Sequence, residues 1–426
     1  MESTNLWVWV AGAVLAGRLG AEWALEALNR RHLRQVAGCA EAGGSEGSGR
    51  ARALAYAEAR SRFREIELLW ETALLAGLWL TGWLARGWEA WQQVVGTGVW
   101  ADAGFVWAVF TGASVASWPL RWYERFHLEE RFGFNTTRPR TWWADRAKGL
   151  LLGTVLGLPV LVGLLGLMRW DPAGWWMWGW AFVVAVQWAV SWLAPVIILP
   201  WFHRFSPLPE GPLRERLLTL ARRIGFRLAD IQVMDGSRRT RHSNAFFTGW
   251  GRFRRVILYD TLLAQLASEE LEAVVAHEMG HDRLRHWQKM MVGSALGLLA
   301  AFAVAAYAAQ VPSLFRAFGF PGPEPAILLV GLGLWAGPVS AWLAPLIHAC
   351  SRRWEFAADA FAARVLGTAE PLCRALERLH RENLMNLPSH PWYRWVHESH
   401  PSLEERLAAL TRAGRGPAPA GDRSSA

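Results

Sequence analysis

Apolar runs long enough to cross a bilayer recur along this chain, and they constrain its fold more than any other feature. A helix needs about 20 mostly apolar residues to span hydrocarbon. Runs of that kind lie at about 6–28, 68–84, 99–120, 149–168, 175–200, 290–309 and 326–348. Lipid offers no hydrogen bonds to an open sheet edge or a loop, so such a chain folds as a helical membrane protein. The reading is therefore mainly α: a polytopic protein with about seven transmembrane helices, five of them in residues 1–200 and two in 290–350. Residues 201–289 and 351–413 are soluble in character, and the Gly/Pro/Ser-rich tail 414–426 is expected to stay disordered. No basic n-region precedes the first run and no small-residue cleavage site follows it, so it reads as a retained span and not a removed signal peptide.

Charge orients the spans. The formal net charge is +9, carried almost wholly by Arg, with Lys only at Lys148 and Lys289. These residues fall between the apolar runs, where positive charge sets topology, and this argues against nucleic acid as a partner. With the N-terminus outside, the Arg-rich 29–64 loop (broken by a Gly/Ser linker at 43–49), the 121–146 loop, 201–289 and the C-terminal region all face the cytoplasm. The outside segments keep only Arg86, Arg169 and Arg316. The Arg bias also suggests a GC-rich genome, hence a bacterial inner membrane. Cys39, Cys350 and Cys373 form no CxxC, so they supply neither a disulfide framework nor a zinc knuckle.

The chemistry is concentrated at 277–281, His-Glu-Met-Gly-His. It lies in a segment of helical character, 262–285, that follows a strand-like stretch at 255–259. Two histidines four apart on a helix share a face. His277 and His281 can thus bind one Zn²⁺ while Glu278 holds a water against it. A catalytic zinc site needs a third protein ligand and keeps one position open. Glu355 and Asp359 share a helical face just after the last apolar run, so Glu355 is the candidate ligand and Asp359 the acceptor that orients a ligating histidine. On spacing alone, the pair could equally be solvated and answer Arg352 and Arg353.

Several blocks then carry a resemblance. They are 128–135 (Leu-Glu-Glu-Arg-Phe-Gly-Phe-Asn), 233–249, 255–262, the 277–281 motif, 351–360 and 399–407, in that order. The chain resembles the type I CAAX prenyl proteases, integral-membrane zinc metalloproteases whose eukaryotic members trim the C-termini of isoprenylated proteins. The likeness covers most of the chain from about residue 60. It implies a membrane chamber closed at its cytoplasmic end by the zinc domain, which contains a small β-sheet. It implies one Zn²⁺ on His277, His281 and Glu355, with Asp359 supporting the metal site. It matches Asn244 and Ala245 to a strand that pairs with the substrate backbone, His400 to an oxyanion-stabilising histidine and Arg406 to an arginine near the bound peptide. His242 reads as structural, and His286, His390 and His397 have no assigned role. The expected partners are the bilayer and peptides or proteins that are prenylated or otherwise membrane-associated. The expected activity is CAAX-type processing or membrane-protein quality control. Two alternatives stand beside it: a heat-shock membrane protease of about four spans, and a non-catalytic scaffold or transporter with structural zinc.

Overall fold

The computed structural model of the chain describes residues 2–40, 47–226, 230–248 and 254–414. Among the described residues, five helices are long and apolar enough to cross a membrane: Leu6–Gly38, Val99–Glu129, Pro139–Trp170, Trp175–Phe202 and His286–Ala308. Two bent pairs bring the total to 7 if each is one span: Gly49–Leu80 with Trp83–Val95, bent by 60°, and Pro325–Ser340 with Ala344–Leu366, bent by 64°. Each bend has a local cause. Gly82 takes a left-handed φ of 73° between the first pair. Pro338 and a turn of 3₁₀ helix at Ala341–Leu343 interrupt the second, since proline has no N–H for the helical ladder.

Val106, Leu165, Ala305 and Val330 are wholly buried where these helices meet. Around them Trp9, Trp83, Trp100, Trp170 and Trp192 face outward, all more than half exposed. Apolar surface costs about 25 cal/mol per Å² in water, so an outward shell of tryptophan belongs against lipid and its interface.

The Arg-rich segments expected as loops are mostly helix. Glu2–Ala40 and Gly47–Leu80 run far past their apolar stretches and pair side by side. Arg18 bonds Glu71 at 3.1 Å, Arg30 bonds Glu65 at 2.7 Å and Arg34 bonds Glu58 at 2.5 Å. Arg, Glu and Ala are strong helix formers, so charge there marks where a helix leaves the membrane and does not end it. Likewise, Val99–Glu129 and Pro139–Trp170 leave only a short connection of the expected 121–146 loop. The linker's residues 43–46 and the tail from 415 lie outside the described residues.

The polar part carries a four-stranded sheet in the order β1 (Phe205–Pro207), β2 (Asp230–Met234), β4 (Arg255–Tyr259), β3 (Ala245–Thr248). β2 and β4 are parallel, while β1–β2 and β3–β4 are antiparallel. β3 is thus an outer strand. The helix Ser268–Arg283 packs beneath the sheet through Val275, Ala276 and Met279, all wholly buried with Leu258 and Ala362. The Ala344–Leu366 helix lies against it.

Candidate metal centre

Two helices build the site. Ser268–Arg283 turns Val275 and Met279 into the core, which leaves His277 and His281 together on another face, one turn apart. Gly280 allows the Ala344–Leu366 helix to approach closely. A Cβ there would sit 3.1 Å from Phe361 Cδ1 and 3.2 Å from Ala358 Cα. That closeness brings Glu355 to both histidines. The two Nε2 atoms are 3.1 Å apart, His281 Nε2 is 3.3 Å from Glu355 Oε1, and His277 Nε2 is 3.6 Å from Glu355 Oε2.

Proton positions explain what these atoms can do. His277 Nδ1 lies 2.8 Å from Asp359 Oδ1, so it donates to that carboxylate and leaves its lone pair on Nε2. Arg406 fixes Asp359 with two hydrogen bonds, at 2.8 and 2.6 Å. His281 Nδ1 meets His286 Nδ1 at 3.0 Å, a contact that needs a hydrogen on one of the two; with it on His281 Nδ1, that ring's lone pair also sits on Nε2. Two lone pairs then face each other across 3.1 Å beside a carboxylate. Such a set is repulsive unless a cation or proton lies among them. Ligands about 2.05 Å from a tetrahedral ion stand about 3.3 Å apart, so the donors fit a metal ion. Without it a proton takes the place. Burial works against the charge of His277, but the hydrogen bonds it donates to Asp359 and Glu355 outweigh that and raise its pKa to about 9.

Glu278 points elsewhere. It lines a cavity of about 370 Å³ with His281, Phe246, Phe247, Trp192 and Trp354, and burial raises its carboxyl above the ordinary 4.5. His400 stands on the opposite side with its side chain 64% exposed and Nδ1 2.9 Å from Glu355 Oε2. It lines a second cavity, of about 710 Å³, with Arg60, His242 and Tyr393. Of the residues at this centre, His281 and Glu278 line the smaller cavity and His400 the larger.

The other residues singled out in the sequence lie as follows. Asn244 and Ala245 open β3, where the Asn244 carbonyl accepts from Tyr259 N–H at 3.1 Å and the Asn244 side chain accepts from Ala245 N–H at 2.9 Å. Arg406, expected near the bound peptide, is instead 7% exposed and lines neither cavity. Its guanidinium is consumed in holding Asp359, which is a role behind the metal ligands. His242 is structural as expected: Nδ1 bonds Asn383 at 2.8 Å, and its ring stacks on Phe134 with centroids 4.1 Å apart. The buried carboxylate of Glu129, in the 128–135 block, collects Tyr56 and Arg60 at 3.0 Å each and His242 at 3.4 Å. Sequence reasoning assigned no role to His286 or Arg352. His286 offered only its closeness to the motif as a signal, whereas Arg352 stood inside the 351–360 block.

Residues 49–204 match the CAAX prenyl protease N-terminal region of five membrane helices, and residues 207–413 match Peptidase family M48. The chain belongs to peptidase family M48. It is a metallopeptidase and an integral, multi-pass membrane protein. Among its relatives, the CAAX prenyl protease 1 homolog of Oryza sativa subsp. japonica is 36% identical over 313 residues, covering 72% of this chain and 73% of that protein. CAAX prenyl protease 1 of Saccharomyces cerevisiae is 35% identical over 308 residues, covering 68% of each. The crystal structure of S. mikatae Ste24p superimposes with a TM-score of 0.88 at 28% identity, over 95% of this chain and 99% of that one. A five-helix membrane region in the N-terminal half does not suit the four-span alternative.

Proposed function

We propose that this M48 peptidase uses one Zn²⁺, held by His277, His281 and Glu355, to hydrolyse peptide bonds near the membrane surface. CAAX-type C-termini, prenylated or not, are its substrate class. The observation that carries the reading is the convergence of one donor atom from each of those three residues within 4.8 Å of one another, with His281 and Glu278 lining a cavity shared with the outer strand's Phe246 and Phe247. The bound ion would polarise the scissile carbonyl and lower the pKa of a water.

The chain's own residues do the rest. β3 receives the substrate backbone as an added strand from Asn244 and Ala245 onward, and main-chain hydrogen bonding asks little of sequence. Phe246, Phe247 and Trp192 give the smaller cavity an apolar wall for a substrate side chain. Glu278 takes a proton as water oxygen attacks the carbonyl carbon, then returns it to the amine as the C–N bond breaks. Its raised carboxyl pKa suits both tasks. His400 offers an N–H to the developing oxyanion, while Asp359 and Arg406 hold His277 in its donor tautomer. The Arg distribution supports a cytoplasmic active site in a bacterial inner membrane with the N-terminus outside.

Detergent-purified wild type and Glu278→Ala, assayed for zinc and against a farnesylated CAAX peptide by mass spectrometry, test this. Both should hold about one zinc per chain, and the variant should lose at least about 10²-fold in turnover. Turnover retained by Glu278→Ala removes Glu278 as the base. Failure of the wild type to cleave, with zinc bound, removes this substrate class.

A further inference from the structure

The two histidine ligands are supported differently. His277 leans on a carboxylate that is itself gripped by a buried guanidinium. Behind His281, among the described residues, stands another imidazole. His286 is 5% exposed, lies nearly flat on Trp354 with centroids 5.3 Å apart and planes at 13°, and brings Nδ1 to 3.0 Å from His281 Nδ1. Of two facing ring nitrogens at that distance, one carries the hydrogen and the other accepts it. His281 has its Nε2 committed toward His277 and Glu355, at 3.1 and 3.3 Å, so its hydrogen is on Nδ1 and His286 Nδ1 is the acceptor.

We infer that His286 is the positioning residue for the metal ligand His281. This rests on the zinc site proposed above and adds to it. A neutral imidazole acceptor fixes the ligand's tautomer and ring angle but contributes no negative charge, so His281 is held in place without the added basicity that Asp359 gives His277. The anchorage is also different. His286 is the first residue of the membrane helix His286–Ala308, reached from the motif helix through Arg285 in a left-handed conformation, φ 57°. Trp354, which pins the ring, stands next to Glu355 in sequence, and both His286 and Trp354 line the 370 Å³ cavity beside Glu278. One ligand is thus supported from the soluble core and the other from the start of a membrane span.

The test measures metal affinity, not turnover. Intact protein stripped by a chelator is titrated with Zn²⁺ against a chromophoric competitor, for wild type, His286→Phe and His286→Asn. Phe keeps a ring on Trp354 and removes the acceptor, whereas Asn places an amide oxygen near the lost Nδ1. The Phe variant should bind about 10–100-fold more weakly, and Asn should stay within about threefold of wild type. Co²⁺ loaded in place of Zn²⁺ should show an altered absorption spectrum in Phe alone. Equal affinity in all three proteins overturns the role of His286. So does equal weakening in Phe and Asn, since rescue by an acceptor is what separates positioning from packing. If Phe fails to yield folded protein, His286→Gln, with its acceptor one bond further out, takes its place and should bind more weakly than Asn. Absence of zinc binding in wild type would instead overturn the metal site itself.

Discussion

His277 is buried with a charged neighbour on each side, and its proton and the metal compete for one nitrogen. In the unfolded chain an imidazole titrates near 6.5. In the folded, metal-free protein His277 titrates at about 9, because bonds to Asp359 and Glu355 outweigh burial. A pKa raised by folding stabilises the fold below about 6.5, and that stabilisation is lost as pH rises through 9. Zinc must displace the same proton. The gain in thermal stability on adding zinc should therefore grow between about pH 6.5 and 9 and then level off. Melting curves of zinc-loaded and chelator-treated protein across that range check this, and a gain that shrinks with rising pH would contradict it. At this scale the motif was legible because i,i+4 spacing alone places the two histidines together. The Arg406–Asp359 pair was not legible, because nothing local shows that the partner of Arg406 is Asp359, 47 residues away.

The Ala344–Leu366 helix serves the site on two sides. Glu355 and Asp359 face His277 and His281, and one to two turns earlier Arg352 and His348 face the segment that carries His400. His348 Nδ1–H donates to the Val396 carbonyl at 2.7 Å. Arg352 donates to the carbonyls of Arg394, Trp395 and Glu398, at 3.4, 3.5 and 2.6 Å. These carbonyls end the helix Pro391–His397, and a cation there also meets the negative end of the helix dipole. The turn to His400 is therefore clamped from the same helix that supplies the third ligand. Arg352→Ala should lower kcat/KM by about 10–100-fold, as expected when a group near the reacting atoms drifts by about 1 Å, and should leave zinc affinity unchanged. Arg352→Lys should recover part of the loss. Kinetics of the three proteins alongside zinc titration would decide it, and an intact kcat/KM in Arg352→Ala would end the idea. The sequence showed Glu355 and Asp359 as a pair but hid the clamp, because backbone carbonyls have no sequence signature.

Across the whole molecule, charged helix ends gather where the metal site lies. Asn29 Oδ1 accepts from His390 N–H at 2.9 Å, Glu26 accepts from Tyr393 Oη–H at 3.3 Å, and Arg239 grips Asp145 with two bonds of 2.9 Å. Regions scattered from 26 to 393 thus meet on one side of the helices. If that side is cytoplasmic and the spans number seven, the two termini lie on opposite sides of the membrane. A green fluorescent protein fused to the C-terminus should then fluoresce, and alkaline phosphatase fused there should stay inactive; the reverse pattern would invert the topology. The sequence by itself determined the class of fold, the apolar runs from which the spans are built and the placing of His277 and His281 on one helix face. These follow from local rules: apolar length against bilayer thickness and a helical period of 3.6. Tertiary structure alone decided how far each helix continues beyond its apolar run. It also decided that Glu355 reaches the histidines over Gly280, that Arg406 serves Asp359, and that His286 backs His281. The Glu355 and Arg406 contacts join segments distant in sequence, at separations set by how whole helices pack, while His281 and His286, only five residues apart, are brought together by the left-handed turn at Arg285.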